Sequence, residues 1–354
     1  VISKSSIRKV PYDVDLVRAS HLYKVFGKNE RQVIERLKAG ESREELASLG
    51  TAAVIDVSFE VAKGETFVVM GLSGSGKSTL IRMINGLWSP SEGTVEVAGK
   101  VVSDMNDAQL RALRRDHVSM VFQHFALLPH LTVRENAAYG LKLQGKLKQK
   151  ERLEKANEWL NTVGLNGWGD KYPHQLSGGM QQRVGLARAL AAETDILLMD
   201  EAFSALDPLI RREMQDQLLE LQGALNKTII FITHDLNEAM YLGDHIAVMR
   251  NGRVAQIGTS DEILTQPADD YVADFVQDVD RSRVLTASAV MRPTEAVVSR
   301  SAEPRRVQRI LDQREWAGVF VVDEHRRLLG TVGDQEVIEA ARRGDRSIAD
   351  AVET

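Results

Sequence analysis

Cysteine is absent from this 354-residue chain. That excludes disulfides, thiolate catalysis and cysteine-ligated zinc, and it fits a reducing compartment. Long apolar runs are missing as well. None approaches the roughly 18 residues that a membrane-spanning helix needs. The longest, such as Thr66–Met70 and Ile196–Met199, have the length of strands. The residues present begin at Val1 rather than Met, and no basic-then-apolar leader is read in them. Any membrane role is therefore expected to be peripheral. An excess of positive charge is missing too. Lys and Arg number 45 against 50 Asp and Glu, and the net charge is -5. Nothing in that balance is the footprint of a nucleic-acid binder.

What is present is a large apolar fraction, 43% of residues, in a chain too long for one small domain. Strand-like and helix-like segments alternate, which predicts an α/β fold with a parallel sheet covered on both faces. Thr66–Met70, Ile196–Asp200 and Thr228–Thr233 are almost wholly apolar or β-branched, as strands buried on both sides require. Helices are expected at Lys77–Leu87, Leu209–Leu225 and Asp235–Leu242. The stretch from about Arg134 to Val163 has helical periodicity and no strand signal, so a helical subdomain is expected over about 124–178. Residues 28–50 are polar, charged and helix-like, and they interrupt a strand-rich start. The pattern changes near Gln277–Arg283, dividing an expected 1–283 domain from a small unit at 284–354. In that unit Val297–Ser299, Gly318–Val322 and Leu328–Val332 read as strands, and Pro304–Gln313 and Asp334–Arg342 as helices.

Gly71-Leu72-Ser73-Gly74-Ser75-Gly76-Lys77-Ser78 matches G-x-x-x-x-G-K-[ST] between a buried strand and a helix. The glycines allow backbone N–H groups to curl around a phosphate, and the helix N-terminus adds its positive end. Lys77 supplies a charge to the outer phosphates, and the Ser78 hydroxyl is placed to ligate Mg²⁺. Ile196–Asp200 and Glu201 form an apolar strand ending in two acids, where an open α/β sheet presents ligand-binding groups. Asp200 suits the shell of Mg²⁺. Glu201 can face a water attacking the γ-phosphate. Ser177 can cap the helix that follows it, and Gly178 and Gly179 permit close approach of a ligand. One nucleotide site does not need two phosphate-directed helix N-termini unless the second serves a neighbouring molecule.

Leu176-Ser177-Gly178-Gly179-Met180-Gln181-Gln182-Arg183, lying between the phosphate loop and the acidic strand, resembles the signature motif of ABC ATPases. The resemblance covers about Leu16 to Val276. It implies a P-loop NTPase core with antiparallel β and helical subdomains. It implies a head-to-tail homodimer in which ATP lies between Gly71–Thr79 of one subunit and Ser177, Gly178, Gly179 and Gln181 of the other. Gln123 resembles the residue that contacts Mg²⁺ and the transmembrane partner. Ser204-Ala205-Leu206-Asp207 resembles the D-loop, His234 the switch histidine, and Phe26 the aromatic that stacks on adenine. Two plainer roles remain open at this stage. Asp207-Pro208 has the form of an N-cap followed by Pro at the first helical position, and Asp235 with Glu238 has capping-box spacing.

The insertion at 28–50, the run Leu197–Arg211 and the small C-terminal unit together resemble the ATPase subunit of glycine betaine/proline importers. That resemblance implies transmembrane permease subunits, indirectly a solute-binding protein, no nucleic acid, and a place on the cytoplasmic face of the membrane. It also implies CBS modules after the ATPase, and 284–354 spans about one. In it, Gly333 and Glu336 stand where the nucleotide-binding loop ordinarily has Ser/Thr and Asp. A dimerisation or docking unit is the expectation for this module. Its arginines, Arg292, Arg305, Arg306, Arg309, Arg326, Arg327, Arg342, Arg343 and Arg346, are interleaved with acids, as on a solvated mixed-charge face.

Overall fold

The computed structural model describes residues 15–123, 125–204, 206–277 and 294–352. Ala205, Arg292 and the boundary expected near Arg283 lie outside them. The chain forms two compact units, Val1–Leu285 and Thr286–Thr354.

The first unit is built on a six-stranded sheet. Its order is Arg253–Gly258, His245–Arg250, Thr66–Gly71, Thr228–Thr233, Ile196–Asp200, Val118–Val121. All pairings are parallel except the edge hairpin of Arg253–Gly258 on His245–Arg250. The continuous apolar runs follow from burial on both faces. Val68, Met70, Leu197, Met199, Ile229 and Phe231 enter one hydrophobic core. Their alternating neighbours Phe67, Val69, Ile196, Leu198, Ile230 and Ile232 enter another. The second core is closed by helix Lys77–Ile84 and by a four-stranded sheet ordered Thr51–Ala62, Asp15–Phe26, Glu92–Val97, Lys100–Val101. Its pairings are antiparallel.

The first core continues into the helical region, where Val133, Ala137, Ala156, Leu160 and Val184 are buried together. The helical periodicity there resolves into Val133–Ala137, Tyr139–Gln144 and Gln149–Thr162. Gly145 ends the second of these with φ +70. The helix expected over Lys77–Leu87 stops at Ile84, because Asn85 caps it and Gly86 turns away with φ +66. The insertion is less polar in effect than in composition. Its helix Glu30–Lys38 buries Val33, Ile34 and Leu37 against Tyr23, Val25, Ala52 and Ile55.

The second unit has a three-stranded sheet ordered Val297–Ser299, Gly318–Val322, Leu328–Gly333. The first pairing is parallel and the second antiparallel. Helices Pro304–Arg314 and Asp334–Arg343 contribute Val307, Leu311 and Val337 to its core, with Val319, Val321 and Val332 from the strands. Among the described residues no helix is long and apolar enough to cross a membrane.

Candidate functional site

Four neighbouring parallel strands deliver the expected residues to one place. Each residue follows the carboxyl end of its strand: the Gly71 loop after Thr66–Gly71, His234 after Thr228–Thr233, Asp200 and Glu201 at Ile196–Asp200, Gln123 after Val118–Val121. Register aligns these ends, with Met70 opposite Thr233 and Asp200 opposite Ile232. Parallel strands in register expose their carboxyl ends along one edge, where ligands of open α/β sheets lie.

The loop needs its glycines for two reasons. Gly71 and Gly76 have φ of +147 and +103, and a Cβ on them would lie 2.3 Å from Met249 O and 2.2 Å from Ala53 O respectively. Gly74 has φ +76 with nothing within 4 Å of a Cβ, so its requirement is conformational alone. The Lys77 ammonium donates to Gly71 O at 2.8 Å and Leu72 O at 3.1 Å. Lys77 is buried, and burial pushes its pKa down against the opposing pull of Glu201 and Asp200. Ser75 Oγ is buried without a hydrogen-bond partner. A buried hydroxyl of that kind costs free energy unless a ligand satisfies it.

The acids occupy different environments. Asp200 is buried, which raises its pKa, while the Ser78 hydrogen bond and Arg82 oppose the rise. Ser78 Oγ donates to Asp200 Oδ1 at 3.0 Å. Glu201 turns out of the strand with φ +48, its N–H bonded to Ile232 O at 3.0 Å. That turn points its carboxylate at two of the expected partners. Gln123 Nε2 donates to Glu201 Oε2 at 3.0 Å, and His234 Nδ1 lies 3.5 Å from Glu201 Oε1. A hydroxyl, a carboxylate and an amide oxygen from Ser78, Asp200 and Gln123 are the hard oxygen donors that suit Mg²⁺.

Other expected residues stand apart. Among the described residues, no hydrogen bond or ion pair joins Ser177, Gly178, Gly179, Gln181 or Asp207 to this cluster. Ser177 caps helix Gly178–Ala191 by accepting from Met180 N at 3.3 Å, and both Ser177 and Gly178 are exposed. Gln181 Nε2 turns back onto Pro173 O and Leu176 O at 3.1 and 3.2 Å, bracing the segment. Asp207 caps helix Pro208–Leu225 through Ile210 N. Asp235 caps its helix through Asn237 N and Glu238 N. Glu238 does not complete the capping box: its Oε2 accepts from Thr233 Oγ1 at 2.6 Å, and the Asp235 N–H goes to Thr233 Oγ1 at 2.9 Å.

Phe26 is 38% exposed, with its ring edge-on to Trp88 at 5.1 Å. Sequence reasoning passed over Trp88. It also passed over Arg43 of the insertion, whose Nη1 lies 3.5 Å from Gly74 O, and Tyr271, which is bonded to the Leu72 backbone. Trp88 could have been found as an aromatic just beyond the phosphate-loop helix. Arg43 and Tyr271 carry no local signal.

A family model described as ABC transporter matches residues 54–204. A glycine betaine transport ATP-binding protein, OpuAA of Bacillus subtilis, is 49% identical over 340 residues, covering 96% of this chain and 81% of the relative. The Escherichia coli glycine betaine/proline betaine protein ProV is 48% identical over 320 residues, covering 88% and 79%. A trimethylamine N-oxide protein, TmoW of Ruegeria pomeroyi, is 48% identical over 278 residues, covering 78% and 82%. Among solved structures, the dimeric post-hydrolysis cassette MJ0796 bound to ADP and Pi aligns with TM-score 0.61 and 32% identity, covering 69% of this chain and 98% of that one. With a phosphate loop, paired acids and a capped glycine segment already in place on this fold, the chain belongs to the ATP-binding subunits of ABC transporters.

Proposed function

We propose that the chain powers import of a compatible solute such as glycine betaine or proline. Two copies would act together against transmembrane permease subunits at the cytoplasmic face of the membrane, with a solute-binding protein as indirect partner. The observation that carries the mechanism is the split of the site. One subunit gathers Lys77, Ser78, Gln123, Asp200, Glu201 and His234, while its own Ser177–Gly179 segment, exposed at Ser177 and Gly178, makes no bond to them.

In this mechanism the Gly71–Thr79 loop, including Ser73, Gly74, Ser75 and Gly76, cradles the phosphates with its N–H groups. Phe26 stacks on the adenine. Lys77 exchanges its two carbonyl partners for phosphate oxygens. Ser78, Asp200 and Gln123 would hold Mg²⁺, which neutralises phosphate charge when bound. Glu201 orients and deprotonates the attacking water, and the 3.5 Å approach of His234 Nδ1 to Glu201 supports a role for that histidine at the γ-phosphate. The partner's glycine segment closes over the triphosphate and excludes bulk water, which strengthens each of these interactions. Asp207 faces the opposite subunit at the closed interface. The 284–354 module would serve docking or dimerisation.

Glu201→Gln tests the site. The variant is expected to keep ATP binding, lose turnover by about a hundredfold or more, and accumulate as a closed dimer on size-exclusion chromatography. Hydrolysis at the parent rate would remove Glu201 from the role given to it. The solute class is tested separately. Co-purification of a betaine-binding protein, or betaine-dependent growth at high salt, supports glycine betaine. Relatives named for trimethylamine N-oxide favour that solute as the second choice.

A further inference from the structure

Arg211 lies in the first turn of helix Pro208–Leu225, four residues after the helix-capping Asp207. Its guanidinium is mostly buried and reaches two loops at once. Nη2 donates to Leu206 O at 3.2 Å, the carbonyl just before Asp207. Nη1 lies 3.5 Å from Asp235 Oδ2, and Nε lies 3.8 Å from Glu238 Oε1. Asp235 follows His234 directly. The backbone on both sides of that histidine is held by the same group of side chains. Thr233 Oγ1 accepts from Asp235 N and donates to Glu238 Oε2. Gln215 Nε2, one turn further along the Arg211 helix, donates to Glu238 Oε1 at 3.2 Å. Glu238 is nearly inaccessible, so the cation compensates a carboxylate that has little water.

We propose that Arg211 is a positioning residue that ties the Leu206–Asp207 segment to the loop of His234. The histidine is then held in its hydrolytic orientation only while the Asp207 segment is seated. A planar guanidinium suits this task because its donors are fixed in one fork. If one partner moves, the others must follow or lose a contact. The proposal rests on the placement of Asp207 at the subunit interface and His234 at the γ-phosphate given above.

Four variants of the full chain test it: Arg211→Met, Asp207→Ala, the double variant, and His234→Ala. Steady-state turnover is measured beside equilibrium binding of a fluorescent ATP analogue. Arg211→Met is expected to lower kcat about tenfold while binding changes less than about twofold. The double variant is expected to be no slower than the slower single, because both changes break one linkage. Turnover at the parent rate in a folded Arg211→Met overturns the proposal, as do multiplicative losses in the double variant. If Arg211→Met does not fold, Arg211→Lys takes its place. That variant keeps the charge beside Asp235 and Glu238 but cannot hold Leu206 O as well. It is expected to lose kcat with an unchanged thermal midpoint, and unchanged kcat overturns the proposal. His234→Ala at the parent rate would overturn the site assignment itself, whereas an inactive His234→Ala beside an unaffected Arg211→Met removes only the linkage.

Discussion

Two glycines of the phosphate loop have different reasons to be glycine, and the difference is measurable. A side chain at Gly76 meets Ala53 O at 2.2 Å in a left-handed conformation, whereas one at Gly74 has only the conformation to pay for. Gly74→Ala is expected to lower stability by about 1 kcal/mol. Gly76→Ala combines strain with a clash against strand backbone and is expected to lose about 3 kcal/mol or more, with weakened ATP binding. Thermal unfolding with and without MgATP distinguishes them, and equal losses would refute the contact argument. Glu238 offers a second test at this scale. Burial raises its pKa above the usual 4.5, opposed by the Thr233 hydrogen bond and Arg211. Relative to the unfolded chain, the fold therefore makes ionisation of Glu238 harder, even with the Arg211 cation offsetting part of the burial. That contribution is complete below the unfolded value and is lost as pH rises through the folded one. Glu238→Gln cannot titrate. Its thermal midpoint relative to the parent is expected to climb as pH rises from 4.5 toward about 8. A flat difference would mean that burial is not the dominant influence on Glu238.

At the scale of the element, the helix opened by Ser177 carries two separable functions. The hydroxyl caps Met180 N, so Ser177→Ala is expected to cost about 1 kcal/mol of stability. Ser177→Arg fills the exposed segment. It is expected to abolish hydrolysis by the closed pair while nucleotide binding by the separate subunit persists. Loss of that binding would argue against action across the dimer. Elements also divide what was legible in the sequence from what was not. Thr66–Gly71, Ile196–Asp200 and Thr228–Thr233 were legible because both their faces are buried, which leaves polar residues only at their ends. The phosphate loop was legible because phosphate chemistry fixes residue types at fixed spacing. The capping-box spacing at Asp235 is only half realised, since Asp235 caps its helix but Glu238 does not return to the Asp235 N–H. Spacing alone cannot tell that Glu238 is buried and committed to Thr233 and Gln215. The insertion's core was also missed. Val33, Ile34 and Leu37 are few among charged neighbours, and their partners lie on the strands Asp15–Phe26 and Thr51–Ala62. Arg211 spoke only through contacts distant in sequence, at Asp235 and Glu238.

For the whole molecule, every residue placed in the nucleotide site lies in the first unit. The second unit has its own core around Val307, Leu311, Val321 and Val337. Its surface carries ten arginines and no lysine between Thr294 and Val352, against eleven carboxylates. A cluster such as Arg305, Arg306 and Arg309 on helix Pro304–Arg314 could draw the unit to anionic lipid, at about 1 kcal/mol for each cation near the surface. The interleaved acids oppose this. Glu303 and Asp312 flank the same helix face, and beyond a Debye length of about 8 Å at physiological salt the balanced surface presents little net field. The full chain is therefore expected to sediment equally poorly with anionic and neutral vesicles. Arg305→Gln, Arg306→Gln and Arg309→Gln combined should leave that result unchanged. Strong, salt-sensitive binding to anionic vesicles that the triple variant abolishes would show that these arginines act as a membrane-facing patch after all. The membrane contact of the assembly would then not be left to the permease alone.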